Sequence, residues 1–129
     1  MLETFNREDK TLLLRSNFAS KGFLQKLNHW REKKLFTDVV LCSDSDNVEL
    51  SAHKVILSCC SPYFEAMFCG SFSEQQTSQN GGKISIGGVT GPALKSIMDY
   101  IYSGVLKVTI ENAQDLLQIA DLLLLEQVS

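Results

Sequence analysis

Apolar and polar residues near the middle of the chain follow the pattern of a β-hairpin. Val39, Val40 and Leu41 form a continuous apolar run with two β-branched members, which is typical of a strand covered on both faces. Residues 43–47 are polar and favour a turn, because short polar side chains hydrogen-bond to nearby backbone. Apolar and polar residues then alternate from 48 to 52, so we predict a hairpin whose second arm is half-exposed.

A helix is predicted directly after residue 61. Ser61 is a suitable N-cap, Pro62 suits the first helical position, and Glu65 lies in the positive first turn. The apolar side chains of this helix form two adjacent stripes, which are Tyr63 with Met67 and Phe64 with Phe68. So wide an apolar face predicts that one part is buried in a core and another part is left for a partner.

An earlier amphipathic helix is predicted with Ser20 as its N-cap. Phe23, Leu27 and Trp30 fall at positions i, i+4 and i+7, and Leu24 widens the same stripe. Ordinary core packing is one interpretation of this stripe. The stripe is also larger than a small domain needs, and packing against a second copy of the chain is therefore the alternative interpretation.

The segment before this helix is predicted to be an N-terminal extension, residues 1–20, that precedes a domain over residues 21–129. Within the extension, Thr11–Leu14 carries three consecutive leucines. We predict a short strand or an extended arm that crosses to a partner subunit. A disordered N-terminus is the alternative, because chain termini are often loose.

The second half of the chain alternates between loops and regular elements. Residues 73–82 are polar and end in Asn-Gly-Gly, which predicts a loop before a short strand at 83–86. Thr90 opens a helix that Gly104 terminates, and Thr109 caps the last helix. The fold class is therefore α+β, with a small mixed sheet flanked by a cluster of short helices.

Length and charge exclude several classes of protein. A chain of 129 residues, 44% of them hydrophobic, forms one domain with a real core. Its formal net charge of −3 argues against binding to nucleic acid, which requires a clustered basic surface. No apolar run approaches the roughly 20 residues that span a bilayer. We therefore expect no membrane insertion and a location in the cytoplasm, with the nucleus as a second location.

The cysteines and histidines do not form a recognisable metal or catalytic motif. Cys42, Cys59, Cys60 and Cys69 include no C-x-x-C pair, and we expect four reduced thiols that are mostly small core residues. His53 is expected to make a structural hydrogen bond.

Candidate catalytic groups are equally isolated. Asp38 could pair with His53, and Ser58 or Cys60 could act as a nucleophile, but no Gly-rich elbow or oxyanion site accompanies them. We expect no enzyme activity, no cofactor and no metal.

Several motifs, in this order, resemble the BTB (POZ) domain of the BTB-BACK-Kelch group. They are Phe36-Thr37-Asp38-Val39, Ala52-His53-Lys54-Val55-Ile56-Leu57, Ser61-Pro62-Tyr63-Phe64, Tyr100-Ile101-Tyr102-Ser103-Gly104 and Asn112-Ala113 with the helix that follows. The resemblance implies a BTB/POZ fold and a protein that forms a homodimer, with a heterodimer with related BTB proteins as the alternative. It also implies docking to a cullin scaffold of the cullin-three class, as a substrate-adaptor subunit of a cullin-RING ubiquitin ligase.

The resemblance also implies which residues contact each partner. Phe72 and Glu74 resemble the hydrophobic-x-Glu motif that binds the cullin, with Tyr63, Phe64 and Met67 as neighbouring surface. The dimer interface is expected to contain the predicted apolar stripe, Phe23, Leu24, Leu27 and Trp30. Asp38 and Lys54 are expected to form a charged pair near that interface.

The resemblance leaves a second function open. BTB dimers of zinc-finger regulators recruit transcriptional corepressors in a lateral groove, and such proteins typically lack the cullin motif. Zinc fingers downstream in the parent gene would favour that alternative, whereas Kelch repeats would favour the ligase adaptor. We expect the chain to end before the closing helix pair of the family, as a fragment or as a natural short form.

Overall fold

The computed structural model describes residues 2–8, 10–14, 22–70 and 82–123. Within these residues there are five strands and five helices. The strands are β1 (Leu2–Asn6), β2 (Thr11–Leu14), β3 (Val39–Ser43), β4 (Glu49–Ala52) and β5 (Lys83–Ile86). The helices are α1 (Phe23–Glu32), α2 (Lys54–Cys60), α3 (Pro62–Cys69), α4 (Gly91–Ser103) and α5 (Ala113–Leu123).

A three-stranded mixed sheet in the order β4-β3-β5 forms the centre of the domain. Strands β3 and β4 pair antiparallel, with Leu41 opposite Leu50, which confirms the predicted hairpin. Strand β5 occupies the segment predicted for it and pairs parallel to β3, with Leu41 opposite Ile84. A parallel pair requires a long crossover, and α2 and α3 lie in the connection that joins β4 to β5.

One hydrophobic core lies between this sheet and the helices. Leu41 and Ile86 from the sheet, Leu57 from α2 and Phe64 from α3 are completely or almost completely buried. Helices α4 and α5 supply most of the remaining core, with Leu94, Ile97, Met98, Ile101, Leu116, Ile119, Ala120 and Leu123. The apolar face of α4 is therefore a core face.

Both ends of α4 match their predicted signals. The Thr90 hydroxyl accepts a hydrogen bond from the Ala93 N–H at 3.3 Å, and Gly104 takes the left-handed conformation with φ of 79°. The last helix differs from its prediction, because it begins at Ala113. Thr109 and Asn112 exchange side chain to backbone hydrogen bonds of 2.7 and 3.2 Å, so Thr109 closes a turn before the helix.

Hydrogen bonds join the turn between β3 and β4 to the start of α4 and to the loop before it. The Asp46 carboxylate accepts hydrogen bonds from the Gly91 N–H at 3.0 and 2.9 Å, and Asp44 accepts from the Gly88 N–H. The Ser43 hydroxyl and then the Gly91 N–H lower the pKa of Asp46. A Cβ atom at Gly91 would overlap the Val48 side chain, so this close approach requires glycine.

The N-terminal segment contains a second, separate sheet of two strands. The strand predicted at Thr11–Leu14 is confirmed as β2, and it pairs antiparallel with β1, which the sequence pattern did not indicate. A crossing to a partner subunit remains a prediction. Ser20 lies outside the described residues, and α1 begins at Phe23 after Gly22, which makes no side-chain cap bond. The predicted loop at 73–82 lies outside the described residues except for Gly82.

Ser61 joins α3 to the last helix and gives the first testable prediction. Its buried hydroxyl accepts from the Phe64 N–H at 3.3 Å and donates to the Leu123 carbonyl oxygen at 2.5 Å. Because Ser61→Ala leaves two buried backbone groups without these bonds, we expect a loss of about 1–3 kcal/mol in the free energy of unfolding.

The control is Thr90→Ala, which removes an exposed N-cap of the same kind and should cost about 1 kcal/mol. Urea unfolding at one fixed protein concentration measures both losses. A loss for Ser61→Ala no larger than that for Thr90→Ala would show that the bond to Leu123 contributes nothing.

Candidate functional site

The apolar stripe of α1 lies largely at the surface of the described chain. No residue within Phe23–Glu32 is buried. The side chains of Phe23 and Leu24 are 51% and 38% exposed, whereas Leu27 packs against the core and Trp30 is half-buried. Core packing therefore accounts for only part of this stripe, and the rest is available to a partner.

Phe36 enlarges this surface, and the sequence pattern did not identify it. Its ring lies 4.9 Å from the Trp30 ring, and the residue is 76% exposed. Phe36 has φ of 61°, in the left-handed region that costs a bulky residue free energy. An exposed aromatic side chain held in this conformation is typical of a contact surface. No periodicity predicts a positive φ at phenylalanine, so only the structure reveals it.

Arg31 lies one turn after Leu27 and fixes α1 to α4. Its guanidinium donates to Asp99 at 2.8 Å and to the Asn28 amide oxygen at 3.0 and 2.8 Å, and it lies 4.8 Å from the centre of the Tyr102 ring. Such a partly desolvated, multiply bonded arginine holds a helix more firmly than an exposed ion pair does. The apolar stripe of α1 therefore rests on a rigid support.

Tyr102 and His53 form a buried junction beneath this support. The Tyr102 hydroxyl accepts from the His53 backbone N–H at 3.0 Å and lies 2.6 Å from Nδ1. Nε2 lies 2.9 Å from the Leu35 carbonyl oxygen, which can only accept, so Nε2 carries the proton. The predicted structural role of His53 is confirmed. Burial raises the pKa of Tyr102 to about 12, and it therefore stays protonated as a hydrogen-bond donor.

Asp38 and Lys54 meet within one chain through a backbone contact. The Asp38 carboxylate accepts from the Lys54 backbone N–H at 2.7 Å, and it caps α2, whose own preceding residue makes no side-chain cap. The Lys54 ammonium lies 5.6 Å from the centre of the Phe68 ring. The two side chains therefore form no ion pair within the described chain, and a pair across a dimer remains a prediction.

Helix α3 divides its aromatic residues between the core and the surface. Phe64 is completely buried, with Phe68 stacked on it at 5.7 Å and Tyr63 edge-on at 5.4 Å. The expectation that Phe64 supplies surface to a cullin is therefore wrong, because the Phe64 side chain is completely buried in the core. Tyr63 and Met67 are half-buried and keep part of their surface accessible. Phe72 and Glu74 lie outside the described residues.

The cysteines are more exposed than the sequence predicted. All four thiols are unpaired; Cys59, Cys60 and Cys69 are exposed and Cys42 is half-buried, so the expectation of mostly core thiols is wrong. Neighbouring atoms desolvate part of the Cys60 thiol and raise its pKa, and Cys59 raises it further. Desolvation and then Glu49 raise the pKa of the Cys42 thiol. A raised pKa leaves less of the nucleophilic thiolate at neutral pH.

Metal-binding clusters and membrane-spanning helices are both absent from the described residues. No three side chains of His, Cys, Asp or Glu in that part of the chain are grouped so that they could hold a metal ion. None of the described helices has the length and apolar character needed to cross a bilayer.

Comparison with known proteins identifies the family. The model of the BTB/POZ domain matches residues 27–129. Kelch-like protein 3 of Mus musculus is 39% identical over 126 residues, which are 98% of this chain and 20% of that protein. The chain belongs to the BTB/POZ family, and it spans about a fifth of the length of the curated relative that it matches.

Solved structures share the fold. The BTB domain of zebrafish PATZ1 superposes with a TM-score of 0.76 at 26% identity, covering 92% of this chain and 91% of that one. The BTB domain of human Gigaxonin superposes with a TM-score of 0.73 at 28% identity and with the same coverage. The predicted α+β BTB/POZ fold is confirmed.

The junction at Tyr102 gives the second testable prediction. Tyr102→Phe removes the acceptor of a buried N–H and the partner of Nδ1, and we expect a loss of about 1–3 kcal/mol in the free energy of unfolding. The raised pKa also makes wild-type stability depend on pH. The pKa of the Tyr102 phenol is near 10.0 in the unfolded chain and about 12 in the folded one. The stability that the buried, protonated phenol contributes is therefore complete below pH 10 and declines as the pH rises to about 12.

Urea unfolding of both proteins across this pH range measures the effect. Lysine ionisation is common to the two proteins and cancels in the difference between them. We expect the stability gap between wild type and Tyr102→Phe to narrow above pH 10. A gap that stays constant would contradict the assigned role of burial.

Proposed function

We propose that this BTB/POZ chain forms a two-fold dimer and docks a cullin scaffold of the cullin-three class. In this role it is part of a substrate adaptor of a cullin-RING ubiquitin ligase and catalyses no reaction itself. The observation that carries the proposal is the likeness to Kelch-like protein 3 over 98% of the chain, since the resemblance to the Kelch-like group implies both partners. We place the protein in the cytoplasm, with the nucleus as a second location.

The surface of α1 supports the dimer. A two-fold axis brings the same patch of both subunits together, and an apolar patch is self-complementary in this arrangement whereas a charged one is not. Phe23, Leu24 and the exposed parts of Leu27 and Trp30 form the patch, and Phe36 extends it. Burial of such side chains contributes roughly 25 cal/mol per Å² of apolar surface.

The rigid support of α1 favours association further. Arg31 holds the helix to α4, and the Leu35 N–H donates to the Trp30 carbonyl oxygen at 2.7 Å, which fixes the loop that carries Phe36. Little conformational entropy remains to be lost in this region when a partner binds. The patch is thus preorganised for a partner of fixed shape.

The cullin contact is proposed on Phe72 and Glu74, with Tyr63 and Met67 beside them. We propose that Phe72 inserts into a cleft between cullin helices and that Glu74 accepts hydrogen bonds at the rim of that cleft. Tyr63 and Met67 retain accessible surface on α3 and support this assignment, whereas Phe64 does not contribute. A central aromatic anchor with a polar rim is the usual arrangement of a protein interface.

The third prediction tests the dimer. Leu24→Asp places a carboxylate in the two-fold patch, where each charge faces its copy without compensation, and we expect the dimer to dissociate at micromolar concentration. Sedimentation velocity measures the mass directly. Leu117→Asp is the matched control, because it introduces the same exposed change on a different helix, α5.

We expect Leu117→Asp to remain dimeric. A wild-type chain that sediments as a monomer would exclude the dimer. Dissociation of both variants would show that the patch on α1 has no special role.

The fourth prediction tests the cullin contact. We expect Phe72→Ala to weaken binding of a cullin N-terminal domain by about ten- to several-hundred-fold, because a buried phenylalanine contributes roughly 1.5–3 kcal/mol or more as an anchor. Calorimetric titration of wild type, Phe72→Ala and Glu74→Ala measures the affinities, with melting curves as the control for folding.

Equal binding by wild type and Phe72→Ala would contradict the assignment of the anchor. If the wild-type chain does not bind, the titration is repeated with a longer chain, extended past Ser129. Binding by the longer chain would show that further helices are required, whereas no binding would favour the corepressor alternative.

A further inference from the structure

A groove runs between the start of α4 and the exposed face of α5. It consists of two adjacent cavities of about 200 and 210 Å³, which share Thr90, Ala93 and Asp115 as lining residues. The first cavity continues along α5 to Leu122, and the second continues to Glu111 and Asn112 before that helix. The two cavities together follow α5 for about two turns, from Asp115 to Leu122.

The lining of the groove is mixed, with polar side chains above a buried apolar layer and a partly exposed leucine at one end. Ala93 and Ile119 are buried beneath it, and Leu122 is 39% exposed at its far end. The accessible leucine can pack against an apolar side chain of a partner segment, while the polar lining faces the polar side chains of that segment.

The charged side chains of the groove all have the same sign. Asp115 and Glu111 are exposed, and the described lining residues of both cavities include no Lys, Arg or His. Neither carboxylate forms an ion pair with another described residue. Asp46 and Thr90 already accept from the Gly91 and Ala93 N–H groups at the positive end of α4, and the positive end of α5, whose first turn contains Asp115, offsets only part of the two carboxylate charges. The groove is therefore electrostatically negative.

The walls of the groove are fixed in advance of any binding. Ser45 donates to the Val89 carbonyl oxygen at 3.2 Å, and Asp44 holds the Gly88 N–H, so the loop before α4 is tied to the β3–β4 turn. The reciprocal bonds between Thr109 and Asn112 fix the other end. A preformed groove loses little entropy on binding.

We propose that this groove docks an amphipathic helical segment of a partner protein that carries Lys or Arg beside apolar residues. The cations would face Asp115 and Glu111, and an apolar side chain would cover Leu122. Charge complementarity decides between the occupants, because an acidic segment is repelled. A second copy of the chain in a two-fold contact would place these carboxylates against themselves.

The test uses two synthetic helical peptides of equal length, one built from Leu and Lys and the other from Leu and Glu. Fluorescence anisotropy of each labelled peptide measures its affinity for the whole chain. We expect the Leu-Lys peptide to bind and the Leu-Glu peptide not to bind. Asp115→Asn combined with Glu111→Gln should weaken binding of the Leu-Lys peptide about two- to thirtyfold, since each exposed ion pair contributes roughly 0.2–1 kcal/mol.

The matched control combines Asp121→Asn with Glu65→Gln. These residues are exposed, one of them lies on the same helix, and neither lines the groove, yet the change in net charge is identical. We expect less than a twofold effect from the control. Equal weakening by both double variants would overturn the proposal, because the attraction would then come from net charge alone.

Two further outcomes would overturn the proposal. One is absence of Leu-Lys binding to wild type at high micromolar concentration, and the other is equal binding of the two peptides. Leu122→Ala gives an independent check on the apolar contact and should weaken the Leu-Lys peptide several-fold, whereas Leu117→Ala, which does not line the groove, should not. Melting curves establish that each variant is folded in the assay.

Discussion

The hydroxyl of Tyr102 is the group on which the arrangement of the helices depends most. It links α4 to the first residue before α2 through His53, and the imidazole of His53 continues the link to the Leu35 carbonyl oxygen. The ring of the same tyrosine supports the Arg31 guanidinium, which binds α1 to α4. One buried phenol therefore positions both the support of α1 and the loop that presents Phe36.

This junction is costly to disturb because it is both buried and fully bonded. Hydrogen bonds are stronger in a medium of low dielectric constant, and the loss of one partner there leaves the other without compensation. No buried side-chain nitrogen or oxygen in the described residues lacks a hydrogen-bond partner. Ser61 plays a comparable part at the other side of the core, where a single hydroxyl caps α3 and holds the Leu123 carbonyl. These two polar groups define how helices meet, while apolar packing supplies most of the stability.

Helix α1 contributes one side chain to the core and leaves other apolar side chains exposed. Leu27 contributes to the core, but Phe23 and Leu24 stay exposed, and Phe36 is held outward in the left-handed region. Exposed apolar groups and backbone strain both reduce the stability of an isolated chain. The exposed apolar side chains of α1 and the strained Phe36 beside Trp30 are typical of a surface that becomes stable when a partner covers it.

Local chemistry by itself determined where most of the elements begin and end. The cap at Ser61, the cap at Thr90 and the left-handed Gly104 all act within a few residues, and their signals could be read directly from the sequence. The motifs shared with the BTB/POZ family indicated the fold because they occur in a fixed order.

Only the tertiary structure decided how much of each predicted apolar stripe, on α3 and on α1, is buried in the core. Phe64 is buried, whereas Phe23 and Leu24 of the α1 stripe stay exposed, since burial depends on what distant segments cover. The same reason applies to Asp38, which caps a helix 16 residues away, and to the exposed thiols of Cys59 and Cys60. Periodicity describes one element at a time, whereas burial, caps from other elements and a strained Phe36 arise only when the elements pack together.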